Sequence, residues 1–190
     1  MPVAAPDEPE RLARATSAAT AIGFAKKCSA GVGRLLATIA STKPAGRIAE
    51  SGTGCGVGTA WLHSGLGSGA TLVTVDHVPD LTAIAASMFA DDERVTVLTG
   101  DWRLLEEHAP FDVFFCDGGG KRDDPHRVVD MLSPGGVLVL DDFTPSTTWP
   151  PMYNGAMDDL RMLYLTHPKL LAVEVITGPG QSAVIGARCR

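Results

Sequence analysis

Residues 47–62 read RIAESGTGCGVGTAWL: a short apolar run, an acidic residue at 50, then glycines at 52, 54, 56 and 58. The pattern predicts a strand, a tight loop and the start of a helix. Glycine is needed where backbone must turn with positive φ or approach a ligand without a Cβ in the way, and alternating glycines leave N–H groups free beside a helix N-terminus. The spacing narrows the ligand. A dinucleotide fingerprint, Gly-x-Gly-x-x-Gly, fails in both registers, because the third glycine position is Val57 when counted from Gly52 and Thr59 when counted from Gly54. A phosphate-cradling loop needs a lysine that this stretch lacks. A carboxylate at Glu50 is also ill placed beside a pyrophosphate.

Composition bounds the remaining choices. At 190 residues with 45% hydrophobic content, the chain suffices for one domain with a sizeable core. A formal net charge of -6 speaks against a chain whose main work is gripping nucleic acid, and favours a small or neutral partner. Cys28, Cys55, Cys116 and Cys189 are widely spread and read as reduced thiols rather than zinc ligands or disulfides. The start, MPVAAPDEPE, shows no basic-then-apolar export pattern, and no run is long and apolar enough for a membrane span, so a cytoplasmic chain is expected.

Along the chain, residues 1–9 are expected to be a disordered tail, and 10–190 a single domain: N-terminal helices over 10–43, broken near Ser29–Gly33, then an α/β core over 44–190. From Arg47 on, strand-like runs (RIAES, TLVTVD, RVTVLTG, FDVFFCD, GVLVLDD) alternate with helical stretches. That alternation predicts a mostly parallel sheet with helices on both faces. A further helix is expected from Gly155 to Thr166. Two β-rich runs about Gly178-Pro179-Gly180-Gln181 predict a closing antiparallel hairpin.

The arrangement Glu50-x-Gly52-x-Gly54-x-Gly56 resembles motif I of the class I S-adenosylmethionine-dependent methyltransferases, whose Rossmann-like, seven-stranded fold also ends in an antiparallel hairpin. The resemblance covers most of the chain from about residue 29. It implies a cofactor loop of Glu50, Gly52, Thr53, Gly54 and Gly56, with the glycines against the amino acid end and Glu50 helping to hold its ammonium. It also implies that Asp76, ending the second strand, accepts from the ribose hydroxyls with His77 close to the adenosine. Asp101 then accepts from the adenine amine, and Trp102 lies near the ring. The competing roles for Asp76 and Asp101 are turn and helix caps.

Asp117 and the pair Asp141-Asp142 end the fourth and fifth strands, which are neighbours in the expected order. Three such carboxylates suit a hard divalent cation such as Mg²⁺. SAGVGRLLATIA, FDVFFCDGGG and LSPGGVLVLDDF look like the catechol and caffeoyl-CoA type and related bacterial O-methyltransferases, in which an Asp and an Asp-Asn pair bind the metal that orients a diol. The resemblance therefore implies a metal set of Asp117, Asp141 and Asp142, with Asp117 also near the reacting centre. Two departures stand out: Asp142 replaces the Asn, and Gly120 stands where the family has a Lys, with Lys121 one residue later. Lys121 and His126 remain as candidate catalytic groups.

Trp149, Met152 and Tyr153 are candidates for the acceptor side, or for packing of a lid. The Ala/Gly-rich N-terminal helices are candidates to cover the pocket or to form a homodimer. The expected activity is O-methylation of a small-molecule acceptor. The rivals are an NAD-dependent oxidoreductase and a non-catalytic S-adenosylmethionine-binding module.

Overall fold

The computed structural model describes residues 9–189. The tail expected over 1–9 lies, apart from Pro9, outside the described residues. A seven-stranded sheet forms the centre: β1 (Arg47–Ser51), β2 (Thr71–Asp76), β3 (Val95–Thr99), β4 (Phe111–Cys116), β5 (Leu132–Phe143), β8 (Leu170–Gly178) and β9 (Gln181–Arg188). Their order is β3-β2-β1-β4-β5-β9-β8. The pairings from β3 through β5 are parallel, and β9 joins β5 and β8 antiparallel, as the closing hairpin predicts.

The near-continuous apolar character of the strands follows from burial of both faces. Successive strand residues point to opposite sides. Ile48, Leu72, Val113, Phe115 and Val139 pack beneath α1 (Glu10–Ala21), α2 (Ala30–Ser41), α3 (Val57–Ser64) and α4 (Pro79–Phe89). Ala49, Val73, Val75, Phe114, Cys116, Leu138 and Leu140 pack beneath the 3₁₀ turn Trp102–His108, α5 (Pro125–Asp130) and α6 (Asp159–Leu165). Each fully buried Val, Leu, Ile or Phe among these stabilises the fold by about 1.5–3 kcal/mol.

Two boundaries differ from expectation. The N-terminal helical stretch breaks over residues 22–29, earlier than Ser29–Gly33, and α2 restarts where the Ser29 hydroxyl caps the Val32 amide at 3.4 Å. The last helix begins at Asp159, because β6 (Met152–Tyr153) and β7 (Ala156–Met157) form a small hairpin about Asn154-Gly155, both at positive φ. Asp158 then caps α6 through the Arg161 amide at 3.1 Å. Among the described residues, no helix is long and apolar enough to cross a membrane.

The strand order reverses between β1 and β4, and there the two loops after these strands diverge to opposite faces of the sheet. Ligands of open α/β sheets bind at such a point. The loops touch: the Asp117 amide donates to the Ser51 carbonyl at 2.9 Å, and the Ser51 hydroxyl to the Gly119 carbonyl at 2.9 Å.

Candidate functional site

A cleft of about 1030 Å³ opens above the carboxyl ends of β1, β2, β3 and β4. Of the residues expected to hold a cofactor, Gly52, Gly54, Asp76, His77, Asp101, Trp102 and Asp117 line it. The loop after β1 approaches its neighbours closely. A Cβ on Gly52 would lie 2.8 Å from the Gly118 amide nitrogen, and one on Gly54 would meet the Phe24 ring at 2.9 Å, with both glycines at positive φ. Glycine is therefore demanded here by packing as well as by turn geometry.

Asp76 organises this corner. One carboxylate oxygen accepts from the Gly54 amide at 2.9 Å and the other from the Val78 amide at 3.0 Å. A carboxylate has about four acceptor positions, so two remain for a ligand's hydroxyls. His77 is largely exposed, 3.4 Å from the Asp76 carboxylate. Asp101 caps the 3₁₀ turn by accepting from the Arg103 amide at 2.9 Å and pairs with the Arg103 guanidinium at 3.2 Å, which hold its carboxyl below the usual range; it also faces the cleft. Trp102 is buried, with no hydrogen-bond partner for its indole N–H among the described residues.

Three expected cofactor residues lie elsewhere. Glu50 is fully buried behind the loop. Its Oε2 accepts from Thr59 at 2.5 Å and from Thr74 at 2.6 Å, and Thr74 in turn meets the Thr53 hydroxyl at 2.6 Å. Its Oε1 has no hydrogen-bond partner among the described residues. Burial pushes the Glu50 carboxyl up to about 8, against the two hydroxyl bonds. Glu50 and Thr53 line only a second cavity of about 10 Å³, water-sized, between the loop and residues 24–28. Gly56 lines neither cavity: at φ 85 it is the N-cap of α3 and backs onto Ala85. In this structure Glu50, Thr53 and Gly56 support the loop from behind.

The carboxylates of Asp117, Asp141 and Asp142 converge, with one oxygen of each within 4.8 Å of the others. Consecutive residues of a regular strand cannot do this, because their side chains face opposite ways. Here the β5–β9 register shifts between Leu140 and Phe143, and Asp142 takes φ 68, so both acids reach one mouth. Asp117 and Asp142 line the cleft, whereas Asp141 is buried behind them. Burial, with Asp142 and Asp141 adding and Lys121 opposing, pushes the Asp117 carboxyl up to about 7.

The two candidate catalytic groups after Asp117 depart from expectation. Lys121 does not line the cleft. It is buried, and its ammonium donates to the Asp141 carbonyl at 3.0 Å while standing 3.6 Å from Asp142 Oδ2 and 3.9 Å from Asp117 Oδ1. His126 is exposed on α5, away from the cleft, with its Nδ1 3.0 Å from His167 Nε2, because α5 packs toward the corner where α6 meets β8. Trp149, Met152 and Tyr153 belong to an exposed excursion between β5 and α6 and do not line the cleft.

Sequence reasoning missed other lining residues. Phe24, Lys26, Lys27 and Cys28, from the α1–α2 connection, form one wall, and Gln181 from the hairpin turn reaches the rim. No short motif marks them; the break in the helical pattern near Ser29 was the one available signal.

Comparison with known proteins agrees with this architecture. A family model described as Protein-L-isoaspartate(D-aspartate) O-methyltransferase (PCMT) matches residues 11–141. A putative O-methyltransferase of Mycolicibacterium paratuberculosis is 34% identical over 141 residues, 68% of this chain and 62% of the relative. Protein-L-isoaspartate O-methyltransferase 1 of Arabidopsis thaliana is 33% identical over 107 residues, 52% of this chain and 46% of the relative. The chain thus spans only 46–62% of the length of these curated relatives. Among solved structures, the O-methyltransferase from Bacillus cereus in complex with SAH superposes with a TM-score of 0.77 at 23% identity, over 97% of this chain and 92% of that one. TomG from Streptomyces achromogenes, involved in tomaymycin synthesis and solved with SAM, gives 0.76 at 22% identity, with the same coverage. At such identity the likeness establishes the fold.

Proposed function

The chain belongs to the protein-L-isoaspartate(D-aspartate) O-methyltransferase family, and from that premise we propose that it is an S-adenosylmethionine-dependent O-methyltransferase acting on an uncharged hydroxyl of a small molecule. The observation that carries the cofactor is the Asp76 carboxylate. It ties down Gly54 and Val78 and keeps two acceptor positions toward a cleft roomy enough for a nucleoside. S-adenosylmethionine bears a sulfonium and an ammonium against one carboxylate. The cleft is lined by Asp76, Asp101, Asp117, Asp123 and Asp142, with Lys26 and Lys27 on the opposing wall, a charge distribution that suits this ligand. The same acids would repel the pyrophosphate of a nicotinamide dinucleotide.

Bound S-adenosylmethionine supplies an activated methyl group on sulfur. The chain's own residues hold the two reactants. Gly52 and Gly54 admit the amino acid end, Lys26 or Lys27 takes its carboxylate, Asp76 takes the ribose, and Asp101 and Trp102 bound the adenine. Glu50 and Thr53 act as positioning residues through Thr74. Methyl transfer gains mainly from near-attack placement in a water-poor pocket. Burial pushes the Asp117 carboxyl at the cleft up to about 7, which supports a role for it in taking a proton from the acceptor hydroxyl. A carboxylate acceptor, such as the isoaspartyl group in the family's description, is disfavoured beside Asp117, Asp141 and Asp142. The buried, unbridged Cys28, Cys55 and Cys116 support a reducing, cytoplasmic setting.

Calorimetric titration tests the reading. S-adenosylhomocysteine is expected to bind stoichiometrically and NADH not to bind. Tighter binding of NADH would overturn it in favour of an oxidoreductase. Binding without methyl transfer from labelled S-adenosylmethionine to any of a panel of phenols, catechols and sugar alcohols would leave a non-catalytic binding module.

A further inference from the structure

The acidic cluster at the ends of β4 and β5 does not fit a divalent metal as it stands, because a cation of the chain's own already sits in it. The Lys121 side chain is 8% exposed. Its ammonium lies within 3.0–3.9 Å of the Asp141 carbonyl, Asp142 Oδ2 and Asp117 Oδ1. A buried ammonium must be paired to be tolerated. Among the described residues its carboxylate partners are Asp117 and Asp142, two of the three acids that would also ligate the metal. An ion drawing on those oxygens would strip Lys121 of its counter-charges and add a double positive charge beside it.

The local backbone shows why the lysine turns inward. Gly120 stands where the resembled enzymes carry their Lys. A Cβ there would meet Val128 Cγ2 at 2.9 Å and the Trp102 ring at 3.1 Å, and its φ is 96, so no side chain leaves this position without strain. The turn at Gly120 hands the charge to the next residue. Lys121 is then clamped by the Tyr164 hydroxyl, which donates to its carbonyl at 2.9 Å. From there its side chain runs behind Asp117 to the Asp141 carbonyl. The Gly120–Lys121 departure and the acidic Asp142 thus belong together: three carboxylates and one ammonium make a self-contained cluster.

We propose that Lys121 is the resident cation of the Asp117–Asp141–Asp142 cluster, a positioning residue that holds Asp117 and Asp142 at the cleft and closes the cluster to divalent metals. The inference deepens the methyltransferase reading and rests on it for its functional meaning: methyl transfer by this chain needs no metal. The cluster itself is testable without that reading.

The experiment titrates the full chain with Mn²⁺, followed by electron paramagnetic resonance and calorimetry, in the wild type, Lys121→Gln and Lys121→Arg. S-adenosylhomocysteine binding is measured on the same samples. Gln keeps a donor for the Asp141 carbonyl but removes the charge; Arg keeps the charge. The expected result is no saturable Mn²⁺ site in the wild type or in Lys121→Arg, and a site at least tenfold tighter in Lys121→Gln. Saturable binding by the wild type overturns the proposal, and needs no variant to fold. A folded Lys121→Gln, checked by circular dichroism, that gains no site also overturns it. Loss of S-adenosylhomocysteine binding in the wild type would instead sink the cofactor reading and leave the metal result standing.

Discussion

Asp76 Oδ2 accepts a hydrogen bond from the Gly54 amide at 2.9 Å, so the last residue of β2 holds the loop that follows β1. The two strands are neighbours in register, Ser51 against Val75, which brings the acid beside the glycines although 22 positions separate them in sequence.

Replacing Asp76 with Ala removes both the loop tether and the acceptors proposed for the ribose. Affinity for S-adenosylhomocysteine is expected to fall more than tenfold, about 1.4 kcal/mol or more. Calorimetry checks this, and an unchanged affinity in a folded variant would remove Asp76 from the binding role.

Gly58 is tied to Glu50 by space. A Cβ at 58 would lie 2.2 Å from Glu50 Oε1 and 3.0 Å from the Phe115 ring. The carboxyl cannot retreat, since Thr59 and Thr74 hold its other oxygen in a fully buried site. Gly58→Ala should therefore cost about 1–3 kcal/mol of stability despite the better helix propensity of alanine. Urea unfolding reads the difference, and a stabilised variant would contradict the geometry.

The raised carboxyl of Glu50 makes stability depend on pH. Its value moves from 4.5 in the unfolded chain to about 8 in the fold, so the folded state keeps a proton that the unfolded state releases. The associated stability is complete below about pH 4.5 and is lost as pH rises through about 8. Glu50→Gln, which cannot ionise, is expected to gain on the wild type steadily from pH 5 to 8, by a ceiling on the order of 5 kcal/mol. Parallel unfolding curves for the two proteins across that range would show that Glu50 stays ionised in the fold.

Arg161 is fully buried between two acids, its guanidinium 2.9 Å from Glu174 and 3.0 Å from Asp158. Glu174 also accepts from the Ser146 amide and the Ser182 hydroxyl, so one carboxylate joins the excursion after β5 to the closing hairpin. Arg161→Met leaves both acids uncompensated and should destabilise by about 3–5 kcal/mol. Adding Glu174→Gln should recover part of that loss. A single-variant cost below about 1 kcal/mol would mean that the pair is dispensable.

Legibility in the sequence varied with the range of the interaction. Ile48, Ala49, Leu72 and Val73 announce buried strands by their own character, because a strand covered on both faces has no polar alternation to hide it. Asp76 and Asp101 line the cleft as their places at or just after strand ends predict, because ligand clefts of this architecture open above the carboxyl ends of the strands. Glu50 shows the limit. Its spacing from the glycines was plain, but whether its carboxylate faces a ligand or Thr59 and Thr74 depends on which side of β1 the residue occupies. The wall of Phe24, Lys26 and Lys27 was invisible, since a segment between two helices acquires a binding role only when the helices pack.

The amino-acid sequence by itself determined the order of strands and helices, the glycine loop, and the acids at the strand ends, because these follow from local periodicity and from the steric freedom of particular residues. Only the tertiary structure decided what the acids face. A register shift and a positive φ at Asp142 turn two successive carboxylates to one mouth. The space denied at Gly120 by Trp102 and Val128 sends Lys121 inward to meet them. Both outcomes depend on contacts between elements far apart in the chain, and the orientation of a side chain is settled by what surrounds it.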